Sequence, residues 1–228
     1  MAFPVVQSIT ETQFSSSATA HLVSMPATVS SGDLLMILFA NEGGGTITNP
    51  SGWTEKWNEN VGNVAGGACF VKVADGTEGG TTVDVVTSAS RTAAAQVYRI
   101  DSWEGTLSGI KTGIFTTHSL TTTPNPPSLT TNWGAGDNLW IATSQYGDDD
   151  VLVNSYPTNY TNGIDTISGA GGDLGCTTAS ARRELNTATE DPGVFTLAAS
   201  EVGGANTIVV RPISIPSINN AIRMATNF

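Results

Sequence analysis

Residues 32–40 read Gly-Asp-Leu-Leu-Met-Ile-Leu-Phe-Ala, and this stretch decides the fold. A Gly-Asp turn leads into seven consecutive apolar residues, a length that suits a strand buried on both faces and is short for a helix. The glycines at 43–45 end the run, because successive glycines hold regular structure only at an entropic cost. Residues 50–54, Pro-Ser-Gly-Trp-Thr, then return a large ring to the interior. The stretch therefore predicts a β-rich fold around one deeply buried strand.

The composition of the 228 residues favours one large all-β domain or two small ones. Charged residues make up only 13%, which excludes a coiled coil, and the 39% hydrophobic content argues against disorder. The net charge of −11 offers no attraction to nucleic acid, and apart from Arg182-Arg183 the basic residues are scattered. No run approaches the roughly 20 apolar residues that span a bilayer, and we see no signal peptide. We expect a soluble protein made in the cytoplasm, with no nucleic-acid or membrane partner.

Short strand patterns separated by turn signals continue along the chain. They are rich in β-branched and aromatic residues and are bounded by glycine, proline and asparagine, which is typical of antiparallel sheets. A short helix is conceivable at 93–96, but the segment has no cap, and we predict a strand there. In the first half the predicted strands cover residues 5–10, 18–25, 32–40, 54–60, 68–74, 81–88 and 93–100.

The second half repeats features of the first. Residues 133–143 resemble residues 29–39, Cys176 stands where Cys69 stood, and Arg211 stands where Arg99 stood. The offset grows from 104 at the Gly-Asp pair to 107 at the cysteines and 112 at the arginines. Loop insertions in a duplicated unit produce such a drift, whereas chance similarity between two β-rich strings is the alternative.

Two matching halves of short strands predict an all-β, jelly-roll-like antiparallel β-sandwich. We expect each half to contribute strands to both sheets, with half-repeats at about 18–100 and 118–213 in one domain covering residues 1–213. Residues 116–129, which contain three prolines, are the predicted crossover between the halves. The alternative is two tandem sandwiches with a linker near Pro124. Residues 214–228 are predicted to form a C-terminal arm or a short docking helix.

The pattern Gly-Asp-Leu-Leu, glycine turn, Pro-Ser-Gly-Trp-Thr, Phe-Val-Lys-Val-Ala and Gly-Thr-Thr-Val resembles a group of β-sandwich proteins of bacteriophage virions, marine phages among them, and of some bacterial surface proteins. The resemblance covers residues 29–100 and, more weakly, 133–211. It implies a virion structural protein, either a capsid decoration protein or a tail or fibre component, assembled in the host cytoplasm. The implied partners are the major capsid protein or other virion proteins, with a homo-oligomer expected. The pattern carries no site residues.

No catalytic constellation stands out. His21 and His118 have no metal-ligand spacing with other residues, and no serine lies in a Gly-x-Ser-x-Gly elbow. Cys69 and Cys176 are interpreted as small buried hydrophobic residues. We therefore expect no enzyme activity, no catalytic residue, no metal and no cofactor.

Carboxylates leave two alternatives open. The acidic run 148–150 is interpreted as a solvated loop, although loop carboxylates and carbonyls also make calcium sites. A glycosidase pair cannot be singled out from the sequence, although four carboxylates are able to meet in space. Those four are Glu55, Glu59, Asp84 and Glu104.

The aromatic residues fall into two groups. Trp53 and Trp140 lie in apolar contexts and are assigned to packing, whereas rings near turns are candidates for binding other proteins or stacking on sugars. The predicted interaction surface consists of Trp57, Trp103, Tyr146, Tyr156, Tyr160, Ile218, Ile222 and Phe228. The leading hypothesis is a non-enzymatic capsid decoration protein. The alternative is a carbohydrate-binding tail or fibre module that recognises host-surface glycans.

Overall fold

A computed structural model describes residues 2–214, apart from the side chains of Asp148 and Asp173. The first sheet is antiparallel and has the strand order β1-β6-β2-β5-β4, with the short β3 beside β6. Its strands are β1 (Val5–Ser24), β2 (Leu34–Glu42), β3 (Ile47–Thr48), β4 (Thr54–Val61), β5 (Ala65–Val73) and β6 (Thr82–Asp101).

The second sheet is built in the same way from the remainder of the chain. Its order is β12-β13-β10-β16-β7, and β8 pairs with β16 beyond β7. Its strands are β7 (Ile110–Thr112), β8 (Thr116–Thr121), β10 (Gly136–Asp148), β12 (Thr161–Ile167), β13 (Gly175–Thr187) and β16 (Glu201–Val210). Two small ribbons pair β9 (Leu129–Thr130) with β14 (Thr189–Glu190) and β11 (Val153–Ser155) with β15 (Thr196–Leu197).

The two sheets have equivalent strand orders. The order β1-β6-β2-β5-β4 matches β7/β8-β16-β10-β13-β12 strand for strand. The predicted all-β antiparallel sandwich of two similar halves is thereby confirmed. One expectation was wrong, because each half forms a whole sheet by itself and does not supply strands to both.

The structural alignment of the two halves differs by one residue from the alignment that the Gly-Asp match suggests. Leu34 pairs with Ile100 and Leu139 pairs with Val210, and all four side chains face the interior between the sheets. The Gly-Asp match aligns Leu34 with Asn138 instead. Because successive side chains of a strand point to opposite faces, a one-residue slip exchanges the buried and outer positions. The burial of both leucines therefore sets the offset at this strand to 105.

A shared core lies between the sheets and contains residues of both halves. Full burial of one such apolar side chain contributes about 1.5–3 kcal/mol, so the two sheets stabilise each other. The fully or nearly buried members are Leu34, Met36, Leu38, Trp57, Val61, Ala65, Cys69, Val71, Tyr98, Ile100, Trp103, Ile110, Phe115, Leu139, Ile141, Ile208 and Val210. The sheets are thus packed on one another and are not two tandem sandwiches.

A bent ribbon covers the outer face of the first sheet. Strands β1 and β6 are each 20 residues long, and their register shifts between Phe14 and Ala18. Beyond the shift, Val23 and Val85 pack with Ile37 and Phe39 of β2 in a second apolar cluster. The patterns at 5–10 and 18–25, which were predicted as two strands, are therefore one continuous strand that folds over its own sheet.

The crossing from the first sheet to the second lies at residues 102–109, not at 116–129 as expected. The indole nitrogen of Trp103 donates to Gly32 O at 2.9 Å and fixes this connection. The threonine-rich residues 116–121 are β8. The proline-rich loop that follows covers the outer face of the second sheet, where Pro124 O accepts a hydrogen bond from Phe195 N at 2.9 Å.

Candidate functional site

Two adjoining open clefts lie where edge strand β1 of the first sheet faces edge strand β12 of the second. The inner cleft has a volume of about 380 Å³ and the outer cleft about 500 Å³. They share Asn162 and Arg182, and together we call them the Arg182 cleft. The inner cleft is lined by Val6, Gln7, Ser8, Ile9, Asn162, Gly163, Ile164 and Arg182. The outer cleft is lined by Asn159, Thr161, Asn162, Arg182, Arg183 and Glu184.

Strand alternation places Arg182 at the opening between the sheets. Ser180 Oγ lies 2.6 Å from the hydroxyl of Tyr98 in the first sheet, so Ser180 faces that sheet. Arg182 is two residues further along β13 and lies on the same face. Its side chain is partly exposed and forms part of the wall of both clefts.

Arg182 differs from the other arginines in residues 2–214. Four of these five arginines pair with a carboxylate, whereas Arg182 has no ion pair within the described chain. The pairs are Arg91–Glu42, Arg99–Asp33, Arg183–Glu190 and Arg211–Glu104, at 3.7, 2.6, 2.9 and 2.9 Å. Among the described arginines, Arg182 alone therefore has no carboxylate partner, although the protein has a net charge of −11.

Irregularities in both edge strands shape the walls. The register of β1 shifts between Val6 and Ser8, and that of β12 shifts between Thr161 and Ile164. Bulges take residues out of the ladder and redirect their backbone and side-chain groups. Asn162, in the left-handed region with φ 50°, is one such residue and lines both clefts.

Tyr156 supports the β12 wall from behind. A Cβ atom on Gly163 would overlap the Tyr156 ring, so only glycine fits at this position. The Tyr156 hydroxyl donates to Asp165 Oδ1 at 3.0 Å, and burial raises the pKa of the phenol, which keeps it protonated as a donor. Tyr156, predicted as an exposed contact, is a half-buried residue that positions the wall.

A buried polar network lies behind the site and contacts it through Ile164, which lines the inner cleft. Gln96 Nε2 donates to Thr178 O at 2.9 Å and to Ile164 O at 3.2 Å, and Ser180 Oγ donates to Gln96 Oε1 at 2.6 Å. The Tyr98 hydroxyl completes the chain, and burial raises its pKa to about 12. Satisfied buried networks are rigid, so Arg182, two residues beyond Ser180, follows a fixed segment of β13.

The other four aromatic candidates are buried and do not form the expected surface. Trp57, Trp103, Tyr146 and Tyr160 have exposed fractions of 6, 3, 0 and 8%. A position near a turn suggested exposure, but internal acceptors take the polar atoms of Trp57, Trp103 and Tyr146; the Tyr146 hydroxyl, for example, donates to Val151 O at 3.0 Å. The predicted packing roles of Trp53 and Trp140 are confirmed. The remaining candidates, Ile218, Ile222 and Phe228, lie outside the described residues.

Both histidines are shielded from solvent. His21 Nε2 lies 3.2 Å from Thr87 Oγ1, and the imidazole packs edge-on against Phe14 and Phe39. Burial lowers the pKa of His21 and of His118 below the ordinary value for histidine. The imidazoles are therefore neutral at pH 7.

The cysteines and the acidic run are also accounted for. Cys69 and Cys176 are free and fully buried, as predicted, and burial raises the pKa of both thiols. Asp150 accepts hydrogen bonds from Ser168 N, Ser168 Oγ and Gly171 N at 3.1, 2.8 and 2.7 Å. No group of three or more histidine, cysteine, aspartate or glutamate side chains that could hold a metal ion is found within residues 2–214.

Three of the four carboxylates considered for glycoside hydrolysis have separate partners. Glu104 pairs with Arg211, Asp84 Oδ1 accepts from His21 N at 3.1 Å, and Glu55 accepts from Asn58 Nδ2 at 3.0 Å.

The sequence drew attention to Arg182-Arg183 only as adjacent basic residues. The two arginines differ because Glu190 forms an ion pair with Arg183 and not with Arg182. No local sequence pattern indicates this pairing.

Comparison of the chain with protein-family models, curated proteins and solved structures found no match. In the described part of the chain, no helix has the length and apolar character needed to cross a membrane.

Proposed function

We propose that this chain is a non-enzymatic structural protein of a bacteriophage virion, a capsid decoration protein that contacts the major capsid protein on the particle surface. The phage setting comes from the sequence pattern described above. Support for the protein contact comes from one observation, the uncharged and accessible edge of the second sheet at β8.

Strand β8 contains no charged residue, and no further strand pairs with its outer edge within residues 2–214. Ile114, just before β8, is 87% exposed and Leu120 is 65% exposed. Burial lowers the pKa of His118, the one titratable group of the strand, which keeps it neutral at pH 7. An unpaired edge with apolar side chains is a surface on which another chain readily docks.

The other edge strands carry charged residues or register shifts that discourage pairing with another chain. Strand β4 carries Glu55, Lys56 and Glu59, and β1 and β12 each carry an acidic residue and a register shift. Charges and bulges of this kind discourage edge-to-edge pairing. The contrast makes β8, with Ile114 and Leu120, the preferred contact surface.

Charge favours a different protein over a second copy as the occupant of this surface. Each copy carries a net charge of −11, so two copies repel one another at long range. The homo-oligomeric arrangement expected from the sequence is then held by the capsid lattice. The apolar residues of the C-terminal arm remain a second candidate contact outside the described residues.

The test is the copy number of the protein on purified particles, measured by quantitative mass spectrometry relative to the major capsid protein. Particles lacking the protein are incubated with wild type, with Ile114→Asp/Leu120→Asp, or with the control Leu22→Asp, whose native leucine is 57% exposed on β1 of the first sheet. We expect full occupancy for wild type and control and at least a tenfold loss for the double variant. Absence of the wild-type protein from particles, or equal occupancy by all three, would contradict the proposal.

The second candidate function is a carbohydrate-binding tail or fibre module. The Arg182 cleft favours it, since the cleft is open and is lined by amides, hydroxyls and a few apolar groups. A ligand rich in hydroxyl groups requires donors and acceptors of this kind.

A further inference from the structure

We propose that the Arg182 cleft binds an acidic saccharide, with the carboxylate of a sugar acid on the Arg182 guanidinium. This inference deepens the second candidate function and does not depend on attachment to a capsid. It rests on the pairing of charges in the described chain, on the shape of the cleft and on the polar groups that line it.

The guanidinium defines the charge of the ligand. A planar guanidinium forms two parallel hydrogen bonds to a carboxylate, and these charge-assisted bonds are stronger than neutral ones. Arg182 has no ion pair among the described residues, so a ligand carboxylate displaces no internal partner. A net charge of −11 disfavours polyanions such as nucleic acid, whereas one carboxylate matches one arginine.

The lining of the inner cleft suits a sugar ring. Gln7, Ser8 and Asn162 line it with amide and hydroxyl groups, the donors and acceptors that a ligand rich in hydroxyl groups requires. Gln7 Nε2 also donates to Asp101 Oδ2 at 2.8 Å and Asn162 Nδ2 to Thr161 Oγ1 at 3.2 Å, which leaves one N–H of each amide for a ligand. Ile9 and Ile164 provide an apolar patch for the C–H groups of a pyranose ring. The volume of about 380 Å³ lies within the range of small-molecule sites.

The outer cleft extends the site to a second sugar. It adjoins the inner cleft along Asn162 and Arg182 and adds about 500 Å³. Glu184 is exposed there and is able to accept hydrogen bonds from hydroxyl groups, while its charge disfavours a second carboxylate at that end. The preferred ligand is therefore an oligosaccharide with its acidic residue in the inner cleft and a neutral residue beside Glu184.

The test uses the full chain on a glycan array that carries uronate-bearing, sialate-bearing, sulfated and neutral oligosaccharides, followed by calorimetric titration of the best ligand. We expect binding to be restricted to the carboxylate-bearing glycans. Reduction of the ligand carboxylate to an alcohol and the variant Arg182→Gln should each weaken binding about ten- to a hundredfold. Arg182→Lys should retain part of the affinity, because it keeps the charge and loses the two-pronged geometry.

Arg91→Gln is the control, since it removes the same charge from an arginine that lines neither cleft. Circular dichroism and melting curves should show that all three variants are folded. The inference is wrong if no carboxylate-bearing glycan binds better than its neutral counterpart, or if Arg182→Gln binds as well as wild type. Loss of particle attachment by Arg182→Gln without any glycan binding would assign the arginine to a protein carboxylate and also overturn it. Particle copy number is measured separately, so either proposal can fail alone.

Discussion

The indole nitrogen of Trp57 donates a hydrogen bond to Gln145 Oε1 across the shared core, at 3.1 Å. The same amide donates through Nε2 to Ala68 O at 3.1 Å, so Gln145 of the second sheet holds two strands of the first. Gln96 does the converse from the first sheet, through Thr178 O and Ile164 O of the second. Two buried amides, one from each half, thus fix how the sheets face each other.

Replacing Gln145 with leucine should destabilise the protein by roughly 1–3 kcal/mol, because Trp57 Nε1 and Ala68 O lose their partner inside the core. Urea unfolding at neutral pH measures the change. The exposed Gln13→Leu is the matched control and should change the free energy of unfolding by less than about 0.5 kcal/mol. Equal effects of the two substitutions would show that the amide contributes little.

Gly163→Ala should destabilise the protein by about 1–3 kcal/mol, since the added methyl group overlaps the Tyr156 ring. Gly136→Ala is the control, because a Cβ there meets its nearest atom at an ordinary 3.5 Å. Thermal unfolding compares the two. Adding Tyr156→Leu to Gly163→Ala should recover part of the loss; if it does not, the tyrosine is not the obstacle.

Acidification should weaken the fold through His21. Burial lowers its pKa, and the Asp84 carboxylate, which accepts from the His21 backbone, opposes that shift only in part. The other groups that face the imidazole are Thr87, Phe14 and Phe39, none of them charged. The unfolded chain therefore binds the proton more tightly than the folded chain, and stability is lost as the pH falls below about 6.5.

The measurement is the free energy of unfolding of wild type and His21→Gln near pH 7.5 and near pH 5. Carboxylates common to both proteins cancel in the difference between them. We expect the advantage of wild type over the variant to shrink at the lower pH. His118→Gln, measured in parallel, reports the separate contribution of the other histidine, whose pKa burial also lowers. An advantage of wild type that is constant with pH would contradict the role of His21.

Calcium should leave the melting temperature unchanged. Both carboxylate oxygens of Asp150 already accept hydrogen bonds from Ser168 or Gly171. Binding at about a hundred times the dissociation constant would add about 2.7 kcal/mol of stability, which a melting curve in about 5 mM calcium chloride detects easily. A rise of several degrees that Asp150→Asn abolishes would reveal a calcium site in the acidic run.

The features of the fold that the sequence predicted correctly are those with a local physical signature. The apolar run at 34–40 and the β-branched stretch at 81–88 lie in strands because composition reports burial directly. The stretches 81–88 and 93–100, which were predicted as two strands, are parts of the single strand β6. The bend of β1 was missed because a strand that turns while keeping its partner looks like two short strands. The repeat register was off by one because the Gly-Asp turn is a weaker constraint than the face that each leucine must bury.

The site was less predictable than the fold. An aromatic residue beside a turn is as compatible with packing as with binding, and Trp57 illustrates how a distant acceptor, Gln145, decides between them. The unpaired state of Arg182 likewise depends on which carboxylates the folded chain brings near each arginine. Such long-range pairings leave no spacing pattern in one sequence.

The separation of the two halves into two sheets makes the protein divisible. The connection at residues 102–109 passes through Gly105, which is exposed, has φ 83° and has open space where a Cβ atom would lie. A chain cut at this glycine would give two fragments, each with one complete sheet and one apolar face that only the other fragment covers. The fragments are therefore expected to reassemble when they are co-expressed, and fusing each to a different protein would make the pair a two-piece proximity reporter.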